Sequence, residues 1–400
     1  MAIQEHDTQN VNSTTQTPPA SAANGEHGNG VVPGPYKAPN YPWWRGVASP
    51  MGILFLSILV MVSILFFSIG SSLTGGSSSS STTAATSSSS SSSSSGMSMG
   101  SSTATSSVTA NVPAATQSYG NQPAKYVVEA NGAKHFTLTA EQVMWSPVKG
   151  DKPVLADTLD GTVPGPIIHV TAGDHVIVTV INHLPQDTSM HWHGLTLPTS
   201  VDGVPGVGQA PIKPGQTYTY DMGNIRDEDA GTHWYHSHDN DLQQDSSGFY
   251  GAFLIDPRPG SPEAAHPIKS DVEAVDFISE MGGYYVISGK SYPDTLPIQL
   301  KHGQTVRIRL INAGEMVHPM HMHGGSFTIV AEDGHTLTSP IVKDTVPIAP
   351  GETYDLVFYG WAAPGSIYPF HCHILTHLMN PGQSMSEMGG LVQLIEYAKA

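Results

Sequence analysis

The chain contains one cysteine, Cys372, set between His371 and His373, with His377 four residues beyond the second histidine. In extended backbone, residues i and i+2 share a face and residue i+1 takes the other. His371 and His373 are therefore expected to point one way and Cys372 the opposite way. One short strand can then serve two metal sites, joined by two covalent Cys-to-His routes. A thiolate with imidazoles, and a methionine further along the chain, is the donor set of a blue copper site.

Three more paired segments accompany it: His191-Trp192-His193-Gly194, His236-Ser237-His238, and His318-Pro319-Met320-His321-Met322-His323-Gly324. Each His-x-His presents two imidazoles on one face if extended. A structural zinc site closes with four ligands, so eight paired imidazoles exceed the needs of one zinc. A lone histidine is ordinarily a core or surface residue. Four pairs in an ordered series call for several metal ions.

On these four motifs, in this order, the chain resembles the multicopper oxidase family over roughly residues 125–398. The resemblance implies copper as cofactor, four per chain: one type 1, one type 2 and two type 3. It assigns His318, Cys372 and His377 to type 1 copper and His191 and His321 to type 2. His193, His236, His238, His323, His371 and His373 fall to the type 3 pair. In many relatives an axial methionine follows the motif cysteine by ten residues, where this chain has Gly382. The loop from Leu378 to Gly390 is longer, and Met388 is the expected axial ligand because Met388-Gly389-Gly390 runs directly into an apolar strand. Met379 and Met385 are the alternatives. Asp202, in the turn after the first pair, matches a family position that delivers protons; an Asp-Gly pair is also ordinary turn chemistry.

The elements that must hold these residues repeat. Val176–Asn182 matches Val306–Asn312, Met190–Gly194 matches Met320–Gly324, Pro211–Gly215 matches Pro347–Gly351, and His236–His238 matches His371–His373. Two homologous units follow, 125–260 and 261–400, with the Pro/Gly-rich run Asp256–Pro262 between them. Each reads as short β runs separated by Gly, Pro, Asn and Asp turns, such as Ile167–Val170, Val176–Ile181, Gln304–Ile311 and Tyr354–Phe358. The expected fold is all-β, two Greek-key β-sandwiches, and the resemblance makes them cupredoxin-like. Where the second unit has Cys372, the first has Ser237, so the first lacks a type 1 site. Copper nitrite reductases are also two-domain but carry that cysteine in the first domain; small two-domain laccases fit better. They imply a homotrimer whose trinuclear clusters lie at subunit boundaries.

Residues 1–124 read differently. Residues 1–50 are polar and rich in Asn, Gly and Pro, and are expected to be disordered. Met51–Gly70 carries no charge, and its length matches a bilayer core of about 30 Å, so a single transmembrane helix is expected there. Lys37 and Arg45 precede the span and no charged residue follows before 125, which puts the N-terminus in the cytoplasm and the catalytic part outside the membrane. Residues 71–124 are expected to be a Ser-rich disordered linker. One cysteine excludes an intrachain disulfide. A net charge of −17, nearly all after residue 124, argues against nucleic acid as a partner.

The function expected is oxidation of a small-molecule or metal-ion reducing substrate, one electron at a time, coupled to reduction of O2 to water. Phenolic donors are the first expectation. Oxidation of Cu(I) or Mn(II), a nitrite reductase-like protein, and a nonenzymatic copper or electron carrier are the alternatives.

Overall fold

The computed structural model describes residues 112–384 and 386–399, all within one compact unit, Ser98–Ala400. The expected segments 1–50 and 51–70 lie outside the described residues. Among the described residues no helix is long and apolar enough to cross a membrane.

Among the described residues the fold is all-β, with only 5% helical. The first half contributes β1 (Tyr126–Val128), β2 (Lys134–Trp145), β3 (Val154–Leu159), β4 (Ile168–Thr171), β5 (His175–Asn182), β6 (His191–His193), β7 (Thr217–Asn224), β8 (Gly231–His236) and β9 (Tyr250–Asp256). The second contributes β10 (Val272–Met281), β11 (Tyr284–Ile287), β12 (Ile298–Leu300), β13 (Thr305–Asn312), β14 (His318–Met322), β15 (Phe327–Glu332), β16 (His335–Lys343), β17 (Thr345–Ile348), β18 (Thr353–Tyr359), β19 (Ile367–Cys372) and β20 (Val392–Tyr397).

Each half forms two sheets. In the first, β1-β2-β5-β7 with β3 on β2 packs over β4-β9-β8-β6; in the second, β11-β10-β13-β18-β15-β16 packs over β12-β20-β19-β14-β17. Alternation drives this layering. In β5 every second residue, Val176, Val178 and Val180, is buried, and its neighbours are half-exposed. Fully burying one such aliphatic side chain contributes about 1.5–3 kcal/mol.

The sequence repeat becomes a repeat of pairing. His191 stands opposite His236 across β6 and β8, and His321 stands opposite His371 across β14 and β19. The two paired motifs of each half are thus cross-strand neighbours.

A third apolar core joins the halves. Trp145 and Tyr250 from the first pack with Phe277, Met281 and Ile311 from the second. Tyr250 stacks on Phe277 with centroids 5.0 Å apart. Beside this core, Arg309 donates to Thr232 Oγ1 at 2.7 Å, and Thr232 donates to Asp355 Oδ1 at 2.8 Å. A buried ion pair between Arg307 and Asp355 completes that network. A buried pair of this kind fixes geometry more than it adds stability.

The end of the expected linker departs from expectation. Residues 112–124 lie against the sheets: Met144 N–H donates to Pro113 O at 2.8 Å, and Ala124 N–H donates to Ile167 O at 2.8 Å. Asn121 Nδ2 donates to Val275 O, in the second half, at 2.8 Å. These residues follow the Ser-rich stretch, and they supply partners for backbone groups that the sheets leave open.

Candidate metal centre

His318, Cys372 and His377 converge in the second half. His318 comes from the start of β14 and Cys372 from the end of β19. His377 lies in the one-turn 3-10 helix Leu375–Leu378 that follows. Their exposures are 0%, 0% and 5%. Cys372 Sγ lies 3.8 Å from His318 Nδ1 and 3.6 Å from His377 Nδ1, and the two Nδ1 atoms are 3.1 Å apart. Bonds of about 2.0 Å to nitrogen and about 2.3 Å to sulfur around one ion place ligand atoms roughly this far apart, so the triangle fits a metal ion. Burial pushes the Cys372 thiol up to about 11, opposed by the Ile374 amide that hydrogen-bonds its sulfur at 3.4 Å. A bound cation would be needed to hold it as thiolate at neutral pH.

In the first half, ligand atoms of His191, His193 and His236 lie within 4.8 Å of one another. His238 leaves the strand after β8, yet its ring stays 5.4 Å from that of His191. Burial, with the neighbouring imidazoles, pushes both His193 and His236 down to about 4, so both imidazoles are neutral at neutral pH.

The second half repeats the pattern. His323 Nε2 lies 3.0 Å from His371 Nε2. The His321 ring is 5.0 Å from that of His323 and 5.6 Å from that of His373. His373 falls just beyond β19 but keeps to its expected side, stacked 5.9 Å from His371.

Hydrogen bonds to the outer ring nitrogens set the tautomers. His191 Nδ1–H donates to Asp202 O at 2.8 Å, His321 Nδ1–H to Asp344 O at 2.9 Å, and His371 Nδ1–H to Cys372 O at 2.7 Å. Each leaves Nε2 free to accept a metal. In His318 the pattern is reversed: Nε2 bonds Glu280 Oε1 at 2.9 Å, which frees Nδ1 to face Cys372. Such partners orient metal-binding imidazoles.

Asp202 reaches the first quartet mainly through its backbone; its carboxylate oxygen is 3.6 Å from His191 Nδ1. Gly203 makes the approach possible, because a Cβ there would sit 1.7 Å from Met190 O. Met388 is 55% exposed, unlike the three buried donors. Its loop nevertheless lies against them, with Gly389 N–H on Leu378 O and Leu391 N–H on His377 O, both at 2.9 Å.

Three neighbours carried no signal in the sequence. Glu280 lies 38 residues before His318 and belongs to no motif. Burial alone would raise its pKa, but hydrogen bonds from His318 and the Glu315 amide outweigh that and lower it. Asp245, in the short helix Asp241–Asp245, bonds His236 Nδ1 at 2.9 Å, and burial pushes its carboxyl up to about 9. Tyr285 stacks on His377 with centroids 4.1 Å apart. Only tertiary packing brings these to His318, His236 and His377.

No ring of the first quartet stacks on one of the second among the described residues. His193 instead borders a cavity of about 400 Å³ between Trp234 and the turn Pro350–Thr353.

Comparisons with known proteins agree with this geometry. Two multicopper oxidase family models match, over residues 139–260 and 256–381. A blue copper oxidase from Nitrosomonas europaea superposes with a TM-score of 0.60 at 34% identity, covering 66% of this chain and 85% of that one. Laccase-7 of Oryza sativa subsp. japonica is 34% identical over 274 residues, 61% of this chain and 47% of its own length. Copper resistance protein A of Escherichia coli is 28% identical over 262 residues, 50% of this chain and 42% of its own. The chain therefore spans about half the length of the curated relatives it matches. By its motifs, its paired sandwiches and these matches, the chain belongs to the multicopper oxidase family.

Proposed function

We propose that the protein is a laccase-like oxidase that takes single electrons from a reducing donor and reduces O2 to water. The observation that carries this reading is the shared strand β19, which gives Cys372 to the buried triangle and His371 to an imidazole quartet. Copper, when bound, supplies one-electron transfer at the triangle and four-electron reduction of O2 at the quartets. His318, Cys372 and His377 would hold type 1 copper, with Met388 as a further, thioether donor. His191 and His321 would hold type 2 copper, and His193, His236, His238, His323, His371 and His373 the type 3 pair.

The chain's own groups divide the remaining work. Cys372 and its flanking histidines provide the electron route. The half-exposed edge of Tyr285 beside His377 marks the donor's approach. Asp202, next to His191, delivers protons. No ring of the first quartet meets one of the second among the described residues, which fits clusters built between chains, as in the homotrimer that the family resemblance implies. A membrane anchor at 51–70 with the catalytic part outside the membrane belongs to the same proposal.

A second reading, oxidation of Cu(I), is favoured by the thioethers near the triangle. Met316 and Met388 are 44% and 55% exposed, and Met316 Sδ lies 4.0 Å from the Tyr285 hydroxyl. Thioethers suit Cu(I), and a copper resistance protein is among the relatives. Oxygen uptake measured side by side with a phenol, Cu(I) and Mn(II) separates the donors. Metal analysis giving one copper or none per chain in reconstituted protein would sink the oxidase reading.

A further inference from the structure

The first half keeps the outline of a second buried triangle without its donors. Counted along the repeat that pairs Met190 with Met320, Thr188 stands where the second half has His318, and Ser237 stands where it has Cys372. The short helix Asp241–Asp245 follows His238, as the helix Leu375–Leu378 that carries His377 follows His373. One backbone contact is shared: Asp239 N–H donates to Ser237 Oγ at 3.2 Å, as Ile374 N–H does to Cys372 Sγ at 3.4 Å. In the first half the side chains at this place are tied by hydrogen bonds. Thr188 Oγ1 donates to Gln244 Oε1 at 2.7 Å, and Gln244 Nε2 donates to Asp187 O at 2.8 Å. Thr188, Ser237 and Gln244 are all fully buried.

This turn of helix delivers Asp245 to the first quartet. Asp245 Oδ2 accepts from His236 Nδ1–H at 2.9 Å, and its Oδ1 accepts from Ser237 N–H at 3.2 Å, so its two oxygens serve two donors. His236 Nε2 then faces the quartet, 3.4 Å from His193 Nδ1. The repeat counterpart, His371, differs: its Nδ1–H bonds the Cys372 carbonyl at 2.7 Å. A carboxylate behind an imidazole fixes its tautomer and raises its basicity more than a neutral carbonyl does. Burial raises the Asp245 carboxyl, and a cation at the quartet would oppose that, as at Cys372.

Resting on the reading of the quartets as copper sites, we propose that Asp245 is a positioning residue for them: from the place where the first half lacks a type 1 site, it holds His236 with the proton on Nδ1 and Nε2 aimed at the quartet. The two halves are then unequal. His236, backed by a carboxylate, is a stronger donor than His371, backed by a carbonyl.

The test is chelator competition for copper on the reconstituted full chain, read by metal analysis, with the visible band and the unfolding midpoint followed in parallel. Asp245→Asn leaves one acceptor for two donors, and the new amide N–H favours the His236 tautomer whose Nε2 carries the proton and cannot bind metal. It should weaken copper binding at the quartets roughly 10–100-fold, while the visible band of the Cys372 site stays unchanged. Thr188→Val breaks the bond to Gln244 without touching His236. It should lower the midpoint and leave copper affinity nearly unchanged. If Asp245→Asn does not fold, Asp245→Ser, which removes the carboxylate and leaves room for water, carries the test with the same expected loss. A full copper complement held with unchanged affinity in the folded variant, or an equal loss in Thr188→Val, would overturn the proposal alone. One copper or none per chain in the unsubstituted protein would remove the oxidase reading itself, and the role of Asp245 with it.

Discussion

His371 and Cys372 are adjacent in β19 but serve different clusters: the Cys372 sulfur lies 3.8 Å from His318 Nδ1, whereas His371 Nε2 lies 3.0 Å from His323 Nε2. The His371 Nδ1–H bond to the Cys372 carbonyl, at 2.7 Å, adds a hydrogen-bonded link to the covalent one.

Cys372→Ser should therefore uncouple the clusters. A hydroxyl replaces the thiolate poorly as a copper ligand, so the visible charge-transfer band and turnover should vanish. The imidazole quartets keep every ligand, and metal content should drop by one copper per chain rather than collapse. Absorption spectra with metal analysis read both. Loss of all copper would mean that the sites do not load independently.

Two substitutions test what tunes the triangle. Glu280→Gln removes a negative charge hydrogen-bonded to His318 and should raise the reduction potential by roughly 50 mV, just under the 59 mV that marks a tenfold change for one electron. Met388→Leu should also raise it, because it deletes a weak axial donor. Being half-exposed, that change should cost little stability. Potentiometric titration measures both. A shift on Met379→Leu with none on Met388→Leu would move the axial role to Met379.

Assembly is tested by complementation. His191→Ala and His371→Ala lie in different quartets, and neither variant should consume oxygen alone. Co-refolded with copper and verified as mixed oligomers by differential tagging, they should regain activity if clusters form between chains, since some boundaries combine two intact halves. A cluster built within one chain would keep one lesion everywhere, and mixing would restore nothing.

Asp276 should make stability depend on pH. Its folded pKa of about 7 is raised above the unfolded value of about 3.9. The protonated form is thus favoured by folding, and ionisation costs stability as pH climbs from about 4 to about 7. Asp276→Asn should match the unsubstituted protein near pH 4. It should become more stable toward pH 8, with an upper bound of about 4 kcal/mol. Denaturant unfolding at a series of pH values measures the gap. A constant gap would place the titration elsewhere.

Much of the candidate metal centre was legible in the sequence because its histidines and cysteine come in short local patterns. An His-x-His pair fixes its own face through the two-residue period of a strand. The repeat of Val176–Asn182 in Val306–Asn312, and of His236–His238 in His371–His373, carried the two sandwiches and their parallel histidine pairs. Ser237 in place of Cys372 carried the difference between them. Tertiary structure decided what no local pattern encodes. Glu280 on His318, Asp245 on His236 and Tyr285 on His377 meet their histidines only because separate elements fold against each other. The exposure of Met388 depends on how its lengthened loop packs over His377, and loop length does not dictate side-chain direction. Residues 112–124 joined the fold because backbone groups in both halves needed partners. That requirement exists only once the sheets are assembled.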